Sequence, residues 1–156
     1  MNFGVFLLTT IASTEGFIIA SGLVTAFLFT RHGIRHGIFF LGSASALMLT
    51  VGVMKIIFHV ARPEGGLIPV TGYAFPSGHA AGALFLALSL CYLVRRVNKK
   101  IRYGIYASAL LFALLVGASR IAFVVHTPLQ VYAGFAFGAF FAGVFMWLDT
   151  RYKKHR

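Results

Sequence analysis

Lys55, Arg62, His79, Arg120 and His126 are the side chains of this sequence best suited to chemistry, and they fall in three short clusters. The first runs from Lys55 to Pro63. Its two cations are seven residues apart, about two helical turns, so they would share a face. His59, four residues after Lys55, would lie on that face too. A lysine inside an apolar run is costly unless it snorkels, pairs or lines a polar cavity. Arg62-Pro63 would end the helix, because the residue before a proline avoids the helical region. The second cluster is Pro76-Ser77-Gly78-His79. Ser77 can cap the helix that follows, Gly78 lets backbone approach a ligand, and the exposed N–H groups favour an anion. His79 can donate a proton near neutral pH. A bare helix cap would explain this motif alone equally well.

The third cluster is Ser119-Arg120-Ile121-Ala122-Phe123-Val124-Val125-His126-Thr127-Pro128-Leu129-Gln130. Thr127, Pro128 and Gln130 read as a helix start, with Thr at the N-cap, Pro at N1 and Gln at N3. A capping box is therefore a complete structural explanation of Gln130. His126 falls just outside that helix, where a neutral imidazole can attack phosphorus. Three cations would offset the charge of a transferring phosphoryl group, largely by electrostatics.

The elements that must position these clusters are apolar helices. Only 11% of the 156 residues are charged, and the mean hydropathy is +0.87. Several apolar runs approach the roughly 20 residues that span a bilayer. We therefore expect an all-α polytopic membrane helix bundle with about five transmembrane helices, forming one membrane-embedded domain over residues 1–156. The expected spans are residues 3–30, 37–61, 79–97, 103–118 and 128–148. The first is overlong, and Ser13-Thr14-Glu15-Gly16 would divide it into an N-terminal interfacial segment and a spanning helix. The N-terminus has no basic residue before its apolar run, unlike a cleaved signal peptide. Gly134 and Gly138, with small neighbours, would let helices approach closely. Packing inside the bundle is the first use of that spacing, and a homodimer the second.

The formal charge of +11 would suggest nucleic acid for a soluble protein, but here it reads as topology, with no nucleic-acid partner. Arg31, Arg35, Arg95, Arg96, Lys99, Lys100, Arg102, Arg151, Lys153, Lys154 and Arg156 fall on one side of the expected bundle. That side is cytoplasmic by the positive-inside rule. Lys55, Arg62 and Arg120 lie towards the other face, where topology alone would place no cations. An anionic ligand explains them. Acids are few: Glu15, Glu64 and Asp149. They cannot cluster at the site as a two-metal centre requires, so no metal and no cofactor are expected. Asp149 would lie roughly 28 Å of helical rise beyond Gln130. Glu64 reads as a surface partner of Arg62. Glu15 reads as a cap or interfacial acid, with pairing to a site cation as the alternative. The one cysteine, Cys91, cannot form an intrachain disulfide.

Lys55-x6-Arg62-Pro63, Pro76-Ser77-Gly78-His79 and Ser119-Arg120-x5-His126, in this order, resemble the type 2 phosphatidic acid phosphatase superfamily over residues 55–130. The resemblance implies that Lys55, Arg62, Ser77, Gly78 and Arg120 bind phosphate. It implies that His126 forms a phosphohistidine and that His79 protonates the leaving group. The family's third motif usually ends in an acid, where this chain has Gln130. A Gln oxygen can accept the same hydrogen bond from His126 without adding charge. Dolichyl-diphosphate phosphatases and glucose-6-phosphatases are similar in ending with Gln. The string His126-Thr127-x-x-Gln130-Val131 most resembles the former, which favours a polyprenyl diphosphate such as undecaprenyl diphosphate in a bacterial inner membrane. Phosphatidic acid and phosphatidylglycerol phosphate follow. The active site would face the periplasmic or extracellular side. A lipid phosphotransferase is the second expectation. A non-catalytic lipid-binding membrane protein is the third, supported only by Gln130.

Overall fold

A computed structural model of the chain describes residues 13–154. The described residues form five helices: α1 Thr14–Arg31, α2 Ile34–Phe58, α3 Gly78–Leu93, α4 Lys99–Ala122 and α5 Pro128–Lys154. A short 3-10 turn, Val94–Arg96, follows α3, and there is no strand among the described residues. α2, α3 with its 3-10 turn, α4 and α5 are each long and apolar enough to cross a membrane. The chain is an integral membrane protein of the all-helical kind. α1 begins at the expected break, where Ser13 Oγ accepts the Gly16 N–H at 3.1 Å. The interfacial segment expected before it lies outside the described residues.

Helix ends depart from expectation in ways that matter for the site. α2 stops at Phe58, before Arg62-Pro63. His59 turns into the left-handed region with φ 46°, and its N–H bonds the Lys55 carbonyl at 3.2 Å. Its ring packs on Tyr73 with centroids 4.6 Å apart. His59 and Arg62 therefore leave the helical face that carries Lys55. α4 is longer than expected at both ends. Asn98 Oδ1 caps it by accepting from Lys100 N at 3.0 Å, and its last turn takes in Ser119 and Arg120. These two residues belong to a helix rather than a loop. α5 runs through Asp149, and α2 begins early enough to include His36.

α3 lies at the centre and contacts the other four helices. Phe85 of α3 meets Phe17 of α1 and Phe40 of α2, and Phe40 also meets Phe145 of α5 edge-on at 5.3 Å. Gly134 and Gly138 of α5 seat against α3. A Cβ on either would lie 2.4 Å from the carbonyl oxygen of Ser77 or Ala81. Backbone-to-backbone approach of this kind is what small residues permit in lipid, and it uses the spacing within one chain.

The two ends of the bundle are held differently. At one end His36 Nδ1 of α2 pairs with the Asp149 carboxylate of α5, and Tyr92 of α3 donates to the same carboxylate at 2.6 Å. Asp149, expected just past the fifth span, is thus a buried tie between three helices. At the other end the α2–α3 and α4–α5 connections meet. Leu67 N donates to Phe123 O at 2.9 Å, and Ser77 N donates to Gln130 O at 3.0 Å.

Candidate active site

The α4–α5 connection puts His126 in place. Val124 adopts φ 53°, a conformation unusual for a β-branched residue. The N–H groups of Val125 and His126 both reach back to the Arg120 carbonyl at 3.2 Å. This tight return brings His126 beside the end of α4, buried with 4% of its surface exposed. Thr127 then opens α5. Its N–H donates to Gln130 Oε1 at 3.0 Å, and Gln130 N donates to Thr127 Oγ1 at 3.4 Å. The same Oε1 lies 3.1 Å from His126 Nδ1.

That shared oxygen defines the imidazole. The Thr127 N–H must face an acceptor, so the Gln130 atom there is the amide oxygen. An oxygen only accepts, so His126 Nδ1 carries the proton and Nε2 keeps its lone pair. Arg62 Nη1 sits 3.4 Å from that Nε2, consistent with an acceptor there. Burial, aided by the charges of Arg62 and Lys55, pushes the His126 pKa from 6.5 down to about 4, although the Gln130 bond acts the other way. The imidazole is neutral near pH 7 and presents Nε2 to the cations.

Backbone carbonyls hold the cations. Arg62 donates from Nε to Gly72 O, from Nη2 to Thr71 O and from Nη1 to Val125 O, each at 3.1 Å. Lys55 Nζ donates to Tyr73 O at 2.6 Å. Arg62 turns to these carbonyls rather than to exposed Glu64. Arg120 is buried at 2% exposure, its Nε donating to Ser119 Oγ at 3.2 Å. Its Nη2 has no partner among the described residues, and neither has the buried Ser77 Oγ. Ser77 is the N-cap of α3 but bonds no helix N–H with its side chain. Buried polar atoms left in this way are costly unless a ligand or water meets them.

Lys55, Arg62, Gly78, His79 and His126 line one cavity of about 770 Å³. Gln130 is buried at 5% exposure and meets His126 Nδ1, and Arg120 and Ser77 are buried as well. Two further segments form the wall, and the sequence reading points to the second only through Glu15 as an alternative partner of a site cation. One is Pro69–Tyr73, whose side chains gave no chemical signal because its carbonyls make the contacts. The other is the start of α1, Ser13 to Glu15 with Phe17. Phe17 packs into the notch left by Gly82 of α3, where an added Cβ would stand 2.7 Å from the Phe17 ring. Glu15 thereby reaches the cavity wall without forming an ion pair with a site cation. Apolar Met48 and Val51 also line it, so cationic side chains, histidines and a greasy surface share one space.

The family model of the PAP2 superfamily matches residues 36–154. No curated protein matches the sequence. Among solved structures, the chain is similar to the transmembrane PAP2 type phosphatidylglycerolphosphate phosphatase from Bacillus subtilis. The two are 23% identical with a TM-score of 0.81, over 97% of this chain and 76% of that one. With that match running through all three clusters, from the start of α2 to the end of α5, the chain belongs to the PAP2 superfamily and is a membrane lipid phosphatase.

Proposed function

We propose that the chain removes the terminal phosphate of a membrane lipid phosphate or diphosphate through a phosphohistidine on His126. One observation carries this reading. His126 Nε2 is the unprotonated ring nitrogen, with Gln130 Oε1 holding Nδ1–H at 3.1 Å on one side and Arg62 Nη1 at 3.4 Å on the other. Nε2 attacks phosphorus as the bond to the lipid oxygen breaks. His79 gives its proton to that oxygen. Positive charge develops on the imidazole, and the Gln130 oxygen stabilises it through Nδ1–H. Water then attacks the phosphohistidine and passes a proton to His79, which releases inorganic phosphate and restores both histidines. Lys55, Arg62, Arg120, the Ser77 hydroxyl and the Gly78 backbone bind the phosphate oxygens. The unpartnered Arg120 Nη2 and Ser77 Oγ supply donors for them. The same groups stabilise the transition state by preorganised charge.

Catalysis proceeds without a metal in this account. Asp149, one of three acids, is engaged with His36 at the opposite end of the bundle. The whole chain acts as one domain in a bacterial inner membrane, with the site on the outer face. The lysines and arginines concentrated at the opposite end support that orientation. Polyprenyl diphosphate, with undecaprenyl diphosphate as the bacterial form, is the first substrate class, on the Gln130 ending. Phosphatidylglycerol phosphate is the second, favoured by the likeness to the Bacillus subtilis phosphatase.

Phosphate release by the purified protein from each lipid, with and without chelator, tests this reading alongside His126→Ala. Turnover that survives chelator and disappears in the variant supports it. Turnover that persists in His126→Ala removes the nucleophile, and turnover lost to chelator removes the metal-free route.

A further inference from the structure

We propose that Gly72 is a positioning residue for phosphoryl transfer, setting Lys55 and Arg62 through the carbonyls of Thr71, Gly72 and Tyr73. The inference rests on the reading of Arg62 and His126 above and adds a residue outside the three clusters.

Three successive carbonyls meet the two cations. Thr71 O and Gly72 O take the Arg62 guanidinium at 3.1 Å each, and Tyr73 O takes Lys55 Nζ at 2.6 Å. In an extended chain successive carbonyls point to opposite sides, so a regular strand could not aim all three at one cation pair. Gly72 breaks that alternation with φ 76°, which only glycine adopts without strain. Its neighbours fix the segment from outside: Ala74 N donates to Val60 O at 2.8 Å, and the Tyr73 ring packs on His59. The result is a guanidinium held at three points, counting Val125 O. Its Nη1 is thereby kept beside His126 Nε2. A planar five-donor fork can be pinned and still keep a donor for phosphate.

The structure also supplies a matched control. Gly65, in the same α2–α3 connection, has φ 78°, and an added Cβ would meet nothing within 4 Å at either Gly65 or Gly72. Gly65→Ala and Gly72→Ala thus introduce similar backbone strain without a clash. Only the second disturbs carbonyls that hold cations. Asn tolerates positive φ better than Ala, so Gly72→Asn should recover part of the loss.

The test uses the full chain in lipid nanodiscs. It measures the affinity for inorganic phosphate and for orthovanadate, a mimic of the five-coordinate transition state, together with thermal stability. Gly72→Ala should weaken orthovanadate about tenfold or more and phosphate less, on the scale of a misaligned charged hydrogen bond. Gly65→Ala should leave both within about twofold, with a similar loss of thermal stability. Equal effects of the two alanine variants, or equal weakening of both anions by Gly72→Ala, would overturn the proposal. So would a wild-type protein that binds neither anion. Anion binding of the expected pattern without lipid hydrolysis would keep the role of Gly72 and remove the proposed function instead.

Discussion

At the residue scale, Gln130 joins two roles that the sequence set against each other. Its side-chain oxygen caps α5 by accepting the Thr127 N–H and at the same time faces His126 Nδ1. Gln130→Glu keeps the shape and both bonds but adds a negative charge. That charge favours the imidazolium, so the His126 pKa should rise from about 4. Because the nucleophile must be neutral, activity is lost as pH falls through that pKa. The acid limb of kcat/KM should therefore move to higher pH in the glutamate variant. Comparing the two profiles on one substrate cancels the substrate's own ionisation, and an unmoved limb would mean that Gln130 acts only as a cap. Gln130→Leu removes both bonds and should cost about 1 kcal/mol of stability as a lost cap, together with a fall in kcat. The residue types of the site were legible in the sequence because cations and histidines are rare in a membrane chain. The partners of Arg62 were not, because main-chain carbonyls carry no residue code. The turn at Val124 was equally hidden, since valine is a poor advertisement for a left-handed residue.

At the element scale, α5 positions the site by lying against the first turn of α3. Gly134→Ala would drive a Cβ to 2.4 Å from Ser77 O. Overpacking of this kind costs about 1–3 kcal/mol, and here it also displaces the N-terminus of α3. Thermal stability in detergent and kcat should fall together. Gly143→Ala, whose Cβ would meet nothing within 4 Å, should change neither. Helix identity and order were readable from apolar runs and caps. Helix ends were not. α2 ends early because His59 adopts a left-handed cap, and α4 and α5 run on because no proline or glycine stops them at residues 119 or 149.

At the scale of the whole molecule, the bundle carries the proposed phosphate site at one end and a structural tie at the other. Asp149→Asn should weaken the pairing with His36 and the bond from Tyr92. Leaving buried hydrogen-bonding groups without their partner costs about 1–3 kcal/mol, so the melting temperature should drop while KM stays unchanged. A large rise in KM would mean that the tie reaches the site. The sequence placed Asp149 away from the chemistry through helical rise alone, but its partner His36 was assigned to a loop and so the tie went unseen. Sidedness is tested by a cysteine at exposed Leu67 in a Cys91→Ala background. A membrane-impermeant thiol reagent added to intact cells should label it, and labelling only after lysis would reverse the orientation. The central claim, however, is the covalent step on His126. Purified protein mixed with a lipid substrate labelled in its terminal phosphate, quenched in alkali within one turnover and digested, should carry label on the peptide containing His126. The bond should be stable to base and labile to acid. Turnover with no labelled protein at any time point, or label on another residue, would contradict it.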